Sequence, residues 1–279
     1  MKSVRVLMLG DIVGAAGRKI FQRHIARIKQ EHNIDGIIIN GENSAHGVGI
    51  TPHIVEFFKQ HQVDVITSGN HVWHKKDIYP YIASHHDLLR PANYPSGVPG
   101  VGATTFLCKG QTIGVINLQG LIFMREDLEC PFRTAETVLT WLRNKTKLIF
   151  VDFHAEATSE KLALATYLDG KISALVGTHT HVQTADERIM PKGTACICDA
   201  GMSGAVNSLL GMESEPIIHR FLTQMPVRFS VEMRPPYKLE GVIIEADIQS
   251  GLAQSIKRLQ IIDTDIDGDV DDVATLGGW

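Results

Sequence analysis

The chain has 279 residues, 44% of them hydrophobic and 21% charged, with a formal net charge of −4. This length supports a single α/β domain with a large core, and the acidic balance argues against a general cationic surface that would capture a nucleic-acid backbone. Four cysteines with no CxxC pair argue against a disulfide framework, and no apolar run approaches the roughly 20 residues that span a bilayer.

The start of the chain runs straight into Val4-Arg5-Val6-Leu7-Met8-Leu9, a buried-strand pattern too short for a signal h-region, so a cytoplasmic protein without a membrane partner is expected. Gly10-Asp11 follows it. From about Ala16 to His32, Ile20, His24, Ile25 and Ile28 fall near one face, which predicts a crossover helix. Gly36 to Asn40 reads as a second strand and ends in Gly41-Glu42-Asn43. Thr51-Pro52 reads as an N-cap with proline at N1, opening a helix to about Gln62. Val63 to Thr67 is a third strand, followed by Gly69-Asn70-His71.

Prolines 91, 95 and 99 with glycines 97, 100 and 102 mark residues 91–102 as a loop. Thr104 to Cys108 and Thr112 to Asn117, separated by Lys109-Gly110-Gln111, predict an antiparallel hairpin. A helix is expected from Thr134 to about Asn144. Strands are expected at Lys147 to Phe153, before His154, and at Ile172 to Val176, before Gly177-Thr178-His179-Thr180-His181. Cys196 and Cys198 lie in an apolar stretch that favours strand packing over zinc ligation. Further strands at Val227 to Glu232 and Gly241 to Ile248 suggest two sheets rather than one doubly wound sheet. The acidic end from Asp263 partly matches an EF-hand loop, but its twelfth position is Ala274 rather than glutamate, so a solvated tail over about 263–279 is expected on a single domain spanning 1–279.

Side chains just beyond the carboxyl ends of α/β strands converge on one crevice. Asp11, Glu42, Asn70, His154, His179 and His181 all fit that placement. Each has a structural alternative when read alone: Asp11 as a helix cap, Glu42-Asn43 as an Asx turn, Asn70 and His71 as loop hydrogen bonders, His154 as a core histidine, His179 and His181 as a strand face. Together they supply two carboxylates, two carboxamides and four histidines, a ligand inventory for two adjacent divalent metals. The mixed nitrogen and oxygen set suits manganese, iron or zinc better than calcium. The residue five after Gly10 is Ala15, so the first turn is no P-loop, and GxGxxG and GxSxG are absent. His46 and His74 follow the clusters and stand open between substrate contact and solvated loop. Arg90 and Arg125 stand open between phosphate binding and structural pairing.

This order of motifs resembles the calcineurin-like metallophosphoesterases. Gly10-Asp11-Ile12-Val13-Gly14, Asn40-Gly41-Glu42-Asn43 and Gly69-Asn70-His71-Val72-Trp73 resemble more narrowly its bacterial YmdB-like branch, over Val4 to about Gly211. The resemblance implies an α/β fold in which two mixed sheets form a four-layer α/β/β/α sandwich with the metals at one edge. It places Asp11, Glu42, Asn43 and His181 on one metal and Glu42, Asn70, His154 and His179 on the other, with Glu42 bridging. The superfamily's usual Asp-x-His is here Asp11-Ile12-Val13, so Asn43 stands in for the missing ligand. His71 is implied to stay off the metals as the catalytic residue, donating a proton to the leaving oxygen or polarising the phosphoryl oxygen while a metal-bound hydroxide attacks phosphorus.

The implied activity is a phosphodiesterase acting on small phosphodiesters, foremost 2′,3′-cyclic nucleotides, with two divalent or mixed-valence transition metals, iron or manganese before zinc. A homo-oligomer is compatible with the family, and RNA is a partner that the charge does not support. The alternatives are a phosphomonoesterase or nuclease of the same fold, and a metal-containing regulatory or scaffold protein with little turnover. Asp199-Ala200-Gly201-Met202 fits the family's late motif, but Ser203-Gly204-Ala205-Val206-Asn207-Ser208 departs from the expected Thr-Gly-Pro-Tyr-Asp type of continuation. That segment is expected to be a loop bordering the substrate, so the departure weakens the substrate assignment and leaves the metal assignment intact.

Overall fold

The computed structural model describes residues 3–266. The first strand, β1 (Ser3–Ile12), turns into α1 (Gly14–Glu31) through Gly14 at φ +56°, where an added Cβ would meet the Val231 side chain at 2.7 Å. β2 (Gly36–Asn40) follows, then α2 (Pro52–Gln60), whose N-cap Thr51 hydroxyl accepts from the Ile54 amide at 3.4 Å. β3 (Val65–Thr67) starts two residues later than the apolar run suggests, because the Val63 amide is still bonded to Phe58 O at the exit of α2. The short α3 (Ile78–Ile82) precedes the hairpin of β4 (Ala103–Cys108) and β5 (Gln111–Gln119). Its turn residues Lys109 and Gly110 both have positive φ, as two-residue hairpins prefer.

α4 (Pro131–Leu142) opens with proline in its first turn, three residues before the expected start. β6 (Ile149–His154), α5 (Thr158–Leu168), β7 (Ala174–Thr178), β8 (Arg188–Ile189), β9 (Ala195–Ile197) and β10 (Met202–Ala205) follow. The described chain closes with α6 (Ser214–Thr223), β11 (Tyr237–Asp247) and β12 (Ala253–Asp263). No described helix is long and apolar enough to cross a membrane.

The strands form two mixed sheets, in the orders β12-β11-β10-β1-β2-β3 and β4-β5-β6-β7-β9-β8. β1 runs parallel to β2 and β10 and antiparallel to β11. In the second sheet β5, β6, β7 and β9 are parallel, with β4 and β8 as antiparallel edges. Alternation along β1 divides its side chains between two cores: Val4, Val6 and Met8 pack with Val115, Phe150, Val176 and Ile197 of the second sheet, while Leu7 and Leu9 pack with Phe21 of α1 and Phe58 of α2. A third core joins Ile116, Val151 and Phe153 to Leu139 and Leu142 of α4 and Leu164 and Leu168 of α5. Central strands buried on both faces explain why they appear in sequence as unbroken apolar runs.

Two expectations fail. Val227–Glu232 is not a strand: only Val231 makes an isolated bridge, to Met212, and residues 226–230 form no regular element and are mostly exposed. The acidic tail does not begin at 263, because Asp263 ends β12 opposite Tyr237 and its carboxylate binds His24 Nε2 at 2.6 Å and Arg23 at 2.9 Å. Residues 267–279, which hold most of the EF-hand-like stretch, lie outside the described residues.

Candidate metal centre

Strands from both sheets deliver their C-terminal residues to one place. Asp11 lies near the end of β1, Glu42 and Asn43 follow β2, Asn70 follows β3, His154 ends β6, and His179 and His181 follow β7. Around His154 Nε2, three atoms each lie at 3.0 Å: Glu42 Oε1, Asn70 Oδ1 and His179 Nδ1. The carboxylate and the two imidazoles offer ligand atoms that all lie within 4.8 Å of one another. The tautomer of His154 follows from its other nitrogen. Thr178 Oγ1 donates its only proton to Asp152 Oδ1 at 2.8 Å, so at 2.9 Å from His154 Nδ1 it must accept; Nδ1 therefore carries a proton, and Nε2 is the nitrogen that would turn a lone pair to a cation on losing its own proton. Asp152 is itself held by Asn40 Nδ2 at 3.1 Å and by the Thr67 hydroxyl. His179 is oriented in the same manner, with Nε2 3.2 Å from Glu156 and Nδ1 turned to the cluster.

A second group lies beside the first. Asp11 Oδ1 and Asn43 Oδ1 are enclosed with no hydrogen-bond partner. The amide of Asn43 is fixed by donation from Nδ2 to Gly47 O at 2.9 Å, which directs Oδ1 inward. His181 donates from Nδ1 to Leu210 O at 2.9 Å, and its Nε2 lies 3.8 Å from Asp11 Oδ1. Buried oxygens without donors cost free energy unless a cation or a proton meets them. The unpartnered oxygens of the second group and the carboxylate, carboxamide and imidazoles gathered in the first are donor sets that fit two metal ions.

Charge tells the same story. Burial pushes Asp11 above the usual carboxylate range, and His181 and His154 offset this only in part. Burial also opposes ionisation of Glu42 and His154, yet their mutual contact prevails and holds Glu42 down to about 2 and His154 up to about 9. His179 is pushed down to about 3 by burial and then by the charge of His154. Without a metal, His154 is thus the cation that balances Glu42, and a bound metal would take the place of its Nε2 proton.

The histidine loop is aimed by strain that other groups hold in place. His179 and His181 have φ of 103° and 63°, a region costing about 1–3 kcal/mol each for such residues. The His179 amide donates to Asp11 Oδ2 and the Thr180 amide to Asp199 Oδ2, both at 3.0 Å, and Asp199 is paired with the buried Lys161 at 2.9 Å. Gly69 is required where β3 meets His154, since a Cβ there would lie 2.1 Å from the imidazole Cδ2.

His71 stands apart from the ligand atoms. Its amide donates to Glu42 Oε2 at 3.0 Å, its Nδ1 is enclosed without a partner, and burial lowers its pKa below the ordinary histidine value despite the opposing pull of Glu42. Asp11, Glu42, Asn43, Asn70, His71, His154, His179 and His181 therefore meet in one region. Arg90 does not join them: it donates to the carbonyls of Pro91, Val98 and Pro99 and braces the proline-rich loop. The segment from Ser203 is also not a loop at its start, because β10 lies beside β1 and Ser203 O accepts from the Val13 amide at 2.9 Å. It then curls through Ser208, which binds Ala205 O and the Gly211 amide, and presents Leu210 O to His181. The supporting roles of Asp152, Glu156, Lys161 and Leu210 were missed in the sequence. Asp152-x-His154 and His154-x-Glu156 carried a visible signal, whereas a main-chain carbonyl carries none.

Two mixed sheets with a polar centre at the ends of their strands form an α/β fold that nucleotidases of known structure share. The Haemophilus influenzae NAD nucleotidase, at 12% identity, shares this fold with a TM-score of 0.57 over 93% of this chain and 56% of that chain. The chain belongs to the YmdB-like family, whose model, described as YmdB-like protein, matches residues 7–259. The chain is 48% identical over 260 residues to the 2′,3′-cyclic-nucleotide 2′-phosphodiesterase of Bacillus subtilis, covering 93% of this chain and 98% of that protein. It is also similar to a Mycoplasma pneumoniae protein whose crystal structure is described as that of a novel phosphatase, with 34% identity, a TM-score of 0.88 and 95% of each chain covered.

Proposed function

We propose that this protein is a dinuclear metal-dependent phosphodiesterase that opens 2′,3′-cyclic nucleotides. The observation that carries the proposal is the meeting of Glu42 Oε1, Asn70 Oδ1 and His179 Nδ1 around His154 Nε2, next to the unpartnered Asp11 Oδ1 and Asn43 Oδ1. Asp11, Asn43 and His181 would hold one cation and Asn70, His154 and His179 the other, with Glu42 placed to serve either. Iron or manganese suits this set first and zinc second. When bound, the cations supply Lewis acidity toward phosphoryl oxygen and activation of water. The division of side chains among three cores supports a helix–sheet–sheet–helix order of layers, and the absence of a long apolar helix among the described residues is compatible with a cytoplasmic protein.

The chain's own residues do the positioning. Thr178, backed by Asp152, keeps His154 in the tautomer that faces the centre, and Glu156 does the same for His179. His71 is kept neutral near pH 7 by burial, and neighbouring cations push it further in that direction. It therefore hydrogen-bonds the phosphoryl or leaving 2′ oxygen through an imidazole N–H that it keeps, while one water gives its hydroxyl to phosphorus and its proton to the 2′ oxygen as the P–O2′ bond breaks, leaving a 3′-monophosphate. The substrate is suggested by the Bacillus subtilis relative.

The test is metal analysis of the purified protein joined to a panel of 2′,3′-cyclic AMP, p-nitrophenyl phosphate and a short RNA. Two metal equivalents are expected, with turnover of the cyclic nucleotide that chelation abolishes and manganese or iron restores. Full turnover by metal-free protein contradicts the mechanism. Two bound metals without hydrolysis of any substrate favour a regulatory or scaffold role instead.

A further inference from the structure

Next to the centre lies a cavity of about 490 Å³, within the size range of small-molecule sites, whose walls include His46, Lys75, Arg228, Phe229 and Ser230. Two of its walls come from the loops that build the centre. His46 belongs to the turn that Asn43 closes onto Gly47, and Lys75 lies next to His74, whose ring meets that of His71 edge-on at 4.6 Å. These walls touch each other, since a Cβ on Gly49 would lie 2.8 Å from Lys75 Cγ. The third wall is the segment after α6. It is seated by Val231, whose side chain would lie 2.7 Å from a Cβ on Gly14 and 2.9 Å from one on Gly47. The cavity thus flanks the Asn43 turn on one side and the His71 segment on the other.

Its chemistry is unusual for a chain of net charge −4. The lining holds Lys75 and Arg228 and no carboxylate, and neither cation is engaged in an ion pair among the described residues. The nearby Glu232 is taken by Arg234 at 2.5 Å. Phe229 is 40% exposed, and the Arg220 guanidinium lies 5.5 Å from its ring centroid. Two free cations beside a partly exposed aromatic ring suit a phosphate with a base attached. A 2′,3′-cyclic mononucleotide with a free 5′ hydroxyl has only one phosphate, and the metal centre uses it.

We infer that this cavity binds the phosphate and base immediately 5′ of the cyclic phosphate, which makes short RNA ends closed as 2′,3′-cyclic phosphates the preferred substrates. The inference rests on the proposed phosphodiesterase activity. It does not need a general cationic surface, because two local charges and one ring address a single added nucleotide. Lys75 and Arg228 hold the linking phosphate, and Phe229 stacks on its base.

The test compares kcat/KM for a 2′,3′-cyclic mononucleotide with 5′ hydroxyl, the same compound with a 5′ phosphate, and a dinucleotide ending in a 2′,3′-cyclic phosphate. The metal-loaded wild type should favour the dinucleotide by about tenfold or more, the scale expected from base stacking and a charge-assisted contact. Arg228→Ala and Phe229→Ala should each erase most of that gain and leave the mononucleotide within about twofold. The 5′-phosphorylated mononucleotide should recover only the part that Arg228→Ala removes. Equal kcat/KM for all three, or variants that slow mononucleotide and dinucleotide alike, would overturn the inference. Should the wild type hydrolyse none of them, the phosphodiesterase proposal fails separately, and calorimetric titration with the same ligands decides the cavity: a tenfold tighter dinucleotide that Arg228→Ala equalises supports it, and equal affinities overturn it.

Discussion

Thr178→Val isolates the link between Asp152 and His154. Valine keeps the volume and the β-branching that suit β7, and the main-chain pairing of residue 178 with His154 across the sheet is untouched. What disappears is a hydroxyl that is bonded to Asp152 Oδ1 at 2.8 Å and His154 Nδ1 at 2.9 Å. Asp152 Oδ1 and His154 Nδ1 lose a partner, and Asn40 Nδ2 loses a weaker contact at 3.4 Å. At about 1–3 kcal/mol for each unsatisfied group, partly relieved by the remaining contacts of Asp152 with Asn40 and Thr67, the metal-free protein should lose about 2–4 kcal/mol of stability. The second effect is on the metal. His154 is no longer confined to the tautomer that leaves Nε2 open, and loss of such support commonly lowers metal affinity by about 10–100-fold. Urea unfolding of the stripped protein reads the first effect, and calorimetric titration with manganese reads the second. One of the two binding steps should weaken in Thr178→Val, while the other, served by Asp11, Asn43 and His181, keeps its affinity. Thr178→Ser retains the hydroxyl and should bind both ions as wild type does. Unchanged manganese binding and stability in the valine variant would refute the tautomer argument.

Gly69→Ala places a methyl where the His154 ring lies, 2.1 Å from Cδ2, so the ring must leave the cluster; metal content should fall by one equivalent in elemental analysis of the folded variant. Lys161→Met leaves Asp199 buried without its cation, and breaking such a pair costs about 3–5 kcal/mol; a urea midpoint equal to wild type would count against the bracing of the histidine loop. His71→Ala should cut kcat on 2′,3′-cyclic AMP by about 10²–10³-fold, the usual scale for loss of one hydrogen-bond donor to the transition state, with two metals still bound. Loss of metal in that variant would move His71 into the ligand set.

How much could be read from the sequence depended on burial. The β2 strand, Gly36–Asn40, is fully enclosed, so its apolar run and the polar residues after it were unambiguous. α6 buries none of its residues, so no apolar stripe against a core existed to be seen. β10 reads Met-Ser-Gly-Ala, a poor strand by composition, and forms because β1 and β11 supply partners on either side. Conversely, Val227 to Glu232 has strand-like residues but gains no continuous neighbour. Asp263 lies in an acidic run and is nonetheless enclosed, because His24 on α1 meets it across 239 positions of sequence. The metal-centre residues were legible because strand ends converge by the geometry of the fold. What supports them was less so: Leu210 acts through a carbonyl and Lys161 through a charge pair formed far from the histidines in sequence.

The central claim is that these side chains hold two metals in two distinct shells. Anomalous diffraction from crystals of manganese-loaded protein tests it most directly, because it locates each ion without reference to activity. Two peaks are expected, one within ligand distance of Asn70, His154 and His179 and the other of Asp11, Asn43 and His181, with Glu42 reaching both. A single peak, or metals lying outside this cluster, would contradict the account.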